Sequence, residues 1–98
     1  MHVILWEFRV RPDRREAFER AYASDGDWAA LFGRGEGFRG TELLRCEDQP
    51  GRYVSVDRWD SEDHFHRFKA VFGDAYDALD RVMEGLTERE TKLGSFEA

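Results

Sequence analysis

Two kinds of hydrophobic periodicity follow one another along the chain, and their order restricts the fold more than any other feature. Residues 2–11 predict a strand, because apolar and polar side chains alternate from Trp6 onward. Residues 13–23 instead carry apolar side chains at helical spacing. Pro12, which cannot donate to a strand ladder, separates the two patterns. The chain therefore starts as strand and then helix.

The rest of the chain continues this succession. The predicted elements are a short helix over 28–32, a glycine-rich loop over 33–40, strands over 41–47 and 52–59 around a turn at 48–51, a helix that begins after Ser61, and a last strand over 87–96. This βαββαβ order predicts an α+β, ferredoxin-like fold. Its four-stranded antiparallel sheet would carry both helical segments on one face.

Composition restricts the class of protein. The 98 residues allow one domain, spanning 1–98, and 41% hydrophobic residues suffice for a packed core. The net charge of −6 argues against nonspecific binding of nucleic acid. The longest apolar run near the N-terminus is too short to span a membrane, and the single cysteine fits a reducing compartment. We therefore expect a cytoplasmic protein without nucleic-acid or membrane partners.

Helices can cover only one face of the predicted sheet. The open face would carry Leu5, Val54, Val56 and either Leu43 or Leu44. Because an exposed apolar patch usually marks an interface, we expect a homodimer in which two open sheet faces pack about a twofold axis. The alternative is a monomer whose sheet face is simply wetted.

The helix-facing side of the sheet supplies the candidate chemistry. Trp6, Phe8, Tyr53 and Trp59 are first of all core residues. Asp57 shares that face, where a lone buried carboxylate is costly. Either it pairs with an arginine, or its raised pKa suits it to take a phenolic proton.

Two further pairs of side chains bear on the site. Tyr22 and Tyr76 are helix-borne phenols that could line the same cavity. His64 and His66 would point about 200° apart on a helix, so they cannot chelate one metal there. The sequence therefore predicts no metal site.

Three segments resemble the antibiotic biosynthesis monooxygenase family. They are residues 8–12 (FRVRP), 37–45 (GFRGTELLR) and 52–62 (RYVSVDRWDSE). The most specific element is the Trp59-Asp60-Ser61 run followed by Phe65 and Phe68, and the similarity covers nearly the whole chain. The resemblance implies a dimeric α/β barrel.

The same resemblance implies a ligand pocket between the sheet and helices of each subunit. One branch of the family oxidises polycyclic phenols to quinones with molecular oxygen and no cofactor, and another binds and degrades haem. Trp59 matches the pocket tryptophan of both branches. Where the first branch has a pocket asparagine and a tyrosine, this chain has Ser55 and Phe65. Where the second branch has an asparagine on its first strand, this chain has Trp6, and it has no histidine near 76–78 to ligate haem.

Two functions remain open. The first is a cofactor-independent monooxygenase, without metal, that oxidises an aromatic phenol or polyketide-like substrate to a quinone with Trp59 and Asp57 as catalytic residues. The alternative is a non-catalytic dimeric module that binds a small aromatic metabolite. The expected substrate-binding residues are Trp6, Phe8, Tyr22, Tyr53, Ser55, Phe65 and Tyr76.

Overall fold

A computed structural model describes all residues, 1–98. Its elements are β1 (His2–Val10), α1 (Arg15–Tyr22), α2 (Asp27–Phe32), β2 (Phe38–Arg45), β3 (Arg52–Trp59), α3 (Glu62–Met83) and β4 (Thr87–Glu97), with 3₁₀ turns at Pro12–Arg14 and Glu84–Leu86. The strands form one sheet in the order β2-β3-β1-β4, and every neighbouring pair is antiparallel. This arrangement confirms the predicted ferredoxin-like α+β fold.

The glycine-rich loop is shorter than predicted. β2 begins at Phe38 instead of 41, because a turn at Gly37 (φ +87°) ends the loop. Gly40 then takes a φ of +113° at an irregularity in the pairing of β2 with β3. Glycine adopts such angles without steric cost, so the strand continues past it.

The helices also differ in detail from the periodicity. The first predicted helix divides into a 3₁₀ turn and α1, with Pro12 in the first turn where its missing N–H costs nothing. The last helix does not end at Gly73. α3 runs on through a kink at Phe72, and the Ser61 side chain caps its start by accepting from the His64 backbone N–H.

The two faces of the sheet have different surroundings. Helix-facing side chains join the helices in one aromatic core, in which Trp59, Tyr53 and Phe18 are the most deeply buried large residues. Leu43 packs against this core, whereas Leu44 is 47% exposed on the open face. None of the helices is both long and apolar enough to cross a membrane.

Candidate functional site

A cavity of about 120 Å³ lies between the helix-facing side of the sheet and the helices. Its lining residues are Trp6, Phe8, Tyr22, Trp28, Phe32, Thr41, Ser55, Asp57, Tyr76, Asp80 and Glu90. An engineered apolar cavity of roughly 150 Å³ holds one benzene ring, so this one is of the size of a single ring.

The walls of the cavity are mainly aromatic. Trp28 on α2 stands with its ring centroid 5.1 Å from that of Tyr76 on α3 and 5.7 Å from that of Phe32. Tyr22 on α1 extends the wall towards Phe8 on β1, with centroids 5.0 Å apart. Each helix therefore contributes at least one ring, and such walls suit a planar ligand.

Asp57 is a half-buried carboxylate of the cavity. Strand pairing sets it opposite Thr41, whose hydroxyl donates to Asp57 Oδ1 at 2.5 Å. Burial raises the pKa of Asp57 to about 6, although the Thr41 hydrogen bond lowers it. No arginine, lysine or histidine forms an ion pair with Asp57, so the alternative of a structural arginine pair is wrong.

The two cavity phenols stay protonated at neutral pH. Burial and then the nearby carboxylates of Asp80, Asp57 and Glu90 together raise the pKa of Tyr76 to about 12. Burial and then Glu90 also raise the pKa of Tyr22. Both hydroxyls therefore remain able to donate hydrogen bonds inside the cavity.

Two exposed carboxylates form the rim of the cavity. Asp80 comes from α3 and Glu90 from β4, and Glu90 accepts a hydrogen bond from the Thr87 hydroxyl at 3.3 Å. Burial and then Asp80 raise the pKa of Glu90. No lysine, arginine or histidine lines the cavity.

The structure brings together most, but not all, of the residues expected at the site. Trp6, Phe8, Tyr22, Ser55, Asp57 and Tyr76 line the cavity. Trp59, Tyr53 and Phe65 do not.

Trp59 lies in the core next to the cavity. Its side chain is fully buried, and its ring centroid lies 5.1 Å from those of Phe38 and Phe68 and 5.7 Å from that of Phe65. Phe32, which does line the cavity, lies 5.9 Å from Trp59. The prediction that Trp59 lines the pocket is therefore corrected, because α2 places the Phe32 ring at that wall.

Tyr53 and Phe65 are also displaced from the cavity by packing. The Tyr53 ring lies 5.0 Å from Phe18, and its hydroxyl donates to Glu19 on α1. Phe65 packs on Trp59 and His2 near the start of α3. Tyr53 is a core residue, and Phe65 is partly buried against the same core.

The sequence did not predict five of the residues that line the cavity. They are Trp28, Phe32, Thr41, Asp80 and Glu90. Thr41 had a usable signal, since a hairpin centred on Gln49 sets it opposite Asp57. Asp80 and Glu90 had no signal in the sequence, because they meet only through the packing of α3 beside β4.

Metal-ligand residues do not cluster anywhere in the chain. No three histidine, cysteine, aspartate or glutamate side chains lie close enough to hold an ion together. His64 instead shares a hydrogen bond of 2.7 Å with the Ser61 hydroxyl.

With its ferredoxin-like sheet and its aromatic cavity beneath the helices, the chain is a small α+β protein that encloses a ligand-sized space. Within this class, the family model described as antibiotic biosynthesis monooxygenase matches residues 1–71. The chain belongs to that family, which confirms the resemblance seen in the sequence. A comparison with curated proteins finds no match.

Solved structures share the fold of this chain. The chain is 29% identical to SnoaB from Streptomyces nogalater, a cofactor-independent oxygenase, with a TM-score of 0.70 over 99% of this chain and 91% of that one. A Bordetella bronchiseptica protein assigned to the same family gives a TM-score of 0.80 at 20% identity, over 99% and 95% of the two chains. A protein from Shewanella oneidensis gives a TM-score of 0.71 at 21% identity, over 97% of this chain and 87% of that one. The last two similarities concern the fold alone.

Proposed function

We propose that the cavity is the active site of a cofactor-independent oxygenase that converts an electron-rich phenol to a quinone. The observation that carries the proposal is Asp57, a carboxylate without an ion-pair partner in an aromatic cavity. Its pKa of about 6 leaves it mostly ionised at neutral pH. A base of this strength is well matched to take a proton near pH 7.

The proposed reaction needs only the phenol, oxygen and this base. Asp57 takes the phenolic proton, and the phenolate passes one electron to oxygen, which gives a phenoxyl radical and superoxide. Their recombination forms a carbon–oxygen bond para to the hydroxyl. Loss of water then yields the quinone, so one phenol and one oxygen molecule give one quinone and one water.

Two neutral tyrosine side chains would stabilise the anionic intermediates of this reaction. Tyr22 and Tyr76 line the cavity, and their hydroxyls keep their protons, since the pKa of both is raised. A hydrogen bond from either hydroxyl stabilises a developing oxyanion. The volume of the cavity favours one enclosed ring, so further rings of a polycyclic substrate would extend through the rim.

The comparison with SnoaB supports the same reaction class. At 29% identity over nearly the whole chain, the likeness to a cofactor-independent oxygenase favours oxygen chemistry without a bound cofactor. The position of Trp59 outside the cavity favours the alternative, a module that binds a small aromatic metabolite without converting it.

Oxygen uptake tests the proposal. With 2,6-dimethoxyphenol and with anthrone, the protein should consume oxygen faster than buffer and incorporate label from ¹⁸O₂ into the quinone. The rate should rise with pH through about 6 as Asp57 ionises. Asp57→Asn should abolish turnover, while Asp74→Asn, an exposed carboxylate on α3, should not change it. Binding of these phenols with no oxygen uptake above buffer would establish the non-catalytic module instead.

We also propose that the protein is a homodimer through the open sheet face. Leu44 and Phe96 are about half exposed on that face. Two cross-strand ion pairs accompany them, Arg52 Nε with Glu7 at 2.8 Å and Arg58 with Glu42 at 3.2 Å. Paired charges beside exposed apolar side chains are typical of an interface that a second copy covers.

A further inference from the structure

The charge of the cavity does not match the reaction that it would host. Three carboxylates line it, those of Asp57, Asp80 and Glu90, and no cationic side chain does. A phenolate or superoxide formed there would have no positive counter-charge. Because charges interact more strongly where water is excluded, this imbalance calls for a cation supplied from outside the protein.

The approach to the cavity is acidic as well. Asp80 and Glu90 are shared with an outer groove, which also carries the carboxylates of Glu84 and Glu88. Arg89 is the only cationic side chain of this groove. A cleft lined mainly by one sign of charge concentrates ligands of the opposite sign at its mouth.

The aromatic walls favour the same sign of charge. The faces of tyrosine and tryptophan rings attract cations, and such rings line the same cavity as the two rim carboxylates. The Tyr76 ring already takes one cation, since Lys69 Nζ lies 3.4 Å from its centroid. Lys69 is not one of the residues that line the cavity.

We propose that the natural ligand is a phenol that carries a protonated amine. Its ring occupies the cavity with the hydroxyl towards Asp57, and its ammonium group lies at the rim between Asp80 and Glu90. The orientation of the ring rests on the proposed function, whereas the preference for a cation rests on the charges of the rim. The ammonium group then supplies the counter-charge that the cavity lacks.

Three probes of similar size and different charge test this preference without any turnover. Tyramine is cationic, 4-ethylphenol is neutral, and 3-(4-hydroxyphenyl)propionate is anionic at pH 7.5. Under nitrogen, calorimetry should show tyramine bound about tenfold more tightly than 4-ethylphenol, with the anion weakest. Added salt should weaken tyramine binding and leave 4-ethylphenol unchanged. Equal affinities for tyramine and 4-ethylphenol would overturn the proposal.

Variants of the rim locate the effect. In Asp80→Asn/Glu90→Gln, tyramine affinity should fall about tenfold to the level of 4-ethylphenol, since both rim charges are lost. Retained 4-ethylphenol binding reports that the cavity is still folded. The matched control Asp74→Asn/Glu47→Gln removes two exposed carboxylates that do not line the cavity. An equal loss of tyramine affinity in this control would assign the preference to net charge and refute the rim site.

The two proposals fail in different ways. Preferential binding of tyramine together with no oxygen uptake on any phenol would retain the cationic ligand and reject the oxygenase. Oxygen uptake on 2,6-dimethoxyphenol without any preference for tyramine would retain the oxygenase and reject the cationic ligand.

Discussion

Asp57 is a single residue whose environment costs the fold stability at neutral pH. The carboxylate is buried, its one hydrogen bond comes from Thr41, and its pKa is raised from 3.8 to about 6. The folded state therefore holds the proton more tightly than the unfolded chain does. The contribution of Asp57 to stability therefore falls as pH rises between about 4 and 6 and is lowest above that window.

We therefore expect Asp57→Asn to stabilise the protein at pH 8, because the amide removes a buried charge and still accepts from Thr41. The shift from 3.8 to about 6 corresponds to a gain of at most about 3 kcal/mol. At pH 4 the variant and the wild type should unfold alike. Urea denaturation at both pH values measures the difference, with Asp74→Asn as the control. A gain of the same size at both pH values would contradict the assigned pKa.

Trp59 and Trp28 are both buried indoles, but only Trp28 lines the cavity. Replacement of either by phenylalanine leaves unfilled volume and should cost about 1 kcal/mol of stability. Trp28→Phe should also change the affinity for 4-ethylphenol several-fold, whereas Trp59→Phe should leave it unchanged. Thermal melts with and without 4-ethylphenol compare the two. A smaller ligand-induced shift in the melting temperature of Trp59→Phe would show that Trp59 contacts the ligand.

At the level of elements, the kink in α3 lets one helix serve both the core and the site. Phe68, before the kink, packs on Trp59, while Tyr76 and Asp80, after it, line the cavity. The backbone leaves helical geometry at Phe72 alone (φ −109°, ψ 17°). Gly73 follows directly, and a Cβ built there would meet nothing within 4 Å.

Gly73→Ala should stabilise the protein by about 0.5–1 kcal/mol, because alanine has the higher helix propensity and the site has room for its methyl group. Gly37→Ala should instead destabilise it. Gly37 has a φ of +87°, and a Cβ there would lie 2.5 Å from the His64 ring. Denaturant unfolding of the two variants measures both effects. Destabilisation by Gly73→Ala would mean that the kink needs glycine.

At the level of the whole molecule, the two faces of the sheet differ in character. Its helix-facing side forms the core and the cavity, and its open side presents apolar residues and ion pairs. The same four strands can therefore hold a ligand on one side and a second copy on the other.

Light scattering should give a mass near twice 11.5 kDa at micromolar concentration. Leu44→Asp should reduce that mass to the monomer value, because the twofold axis would bury two like charges. Val71→Asp is the matched control, since Val71 is 73% exposed on α3, away from the sheet. A monomeric wild type, or dissociation by Val71→Asp alone, would reject the sheet-face dimer.

Much of this architecture could be predicted because it depends on local patterns. Alternation identified the strands, and the spacing of phenylalanines in α3 identified a helical face. The face on which Asp57, Ser55 and Tyr76 lie also followed from period alone. Trp59 shows the limit, since the strand places it on the correct face but the rings around it decide whether it meets the cavity.

The sequence by itself determined the order of elements, the antiparallel sheet and the presence of a lone carboxylate among aromatic side chains, because hydrophobic period and turn chemistry act over a few residues. Tertiary structure alone decided which rings enclose the cavity, that Thr41 and no arginine partners Asp57, and that Asp80 and Glu90 form an acidic rim. These features join side chains from distant elements, and their positions depend on how the helices pack on the sheet.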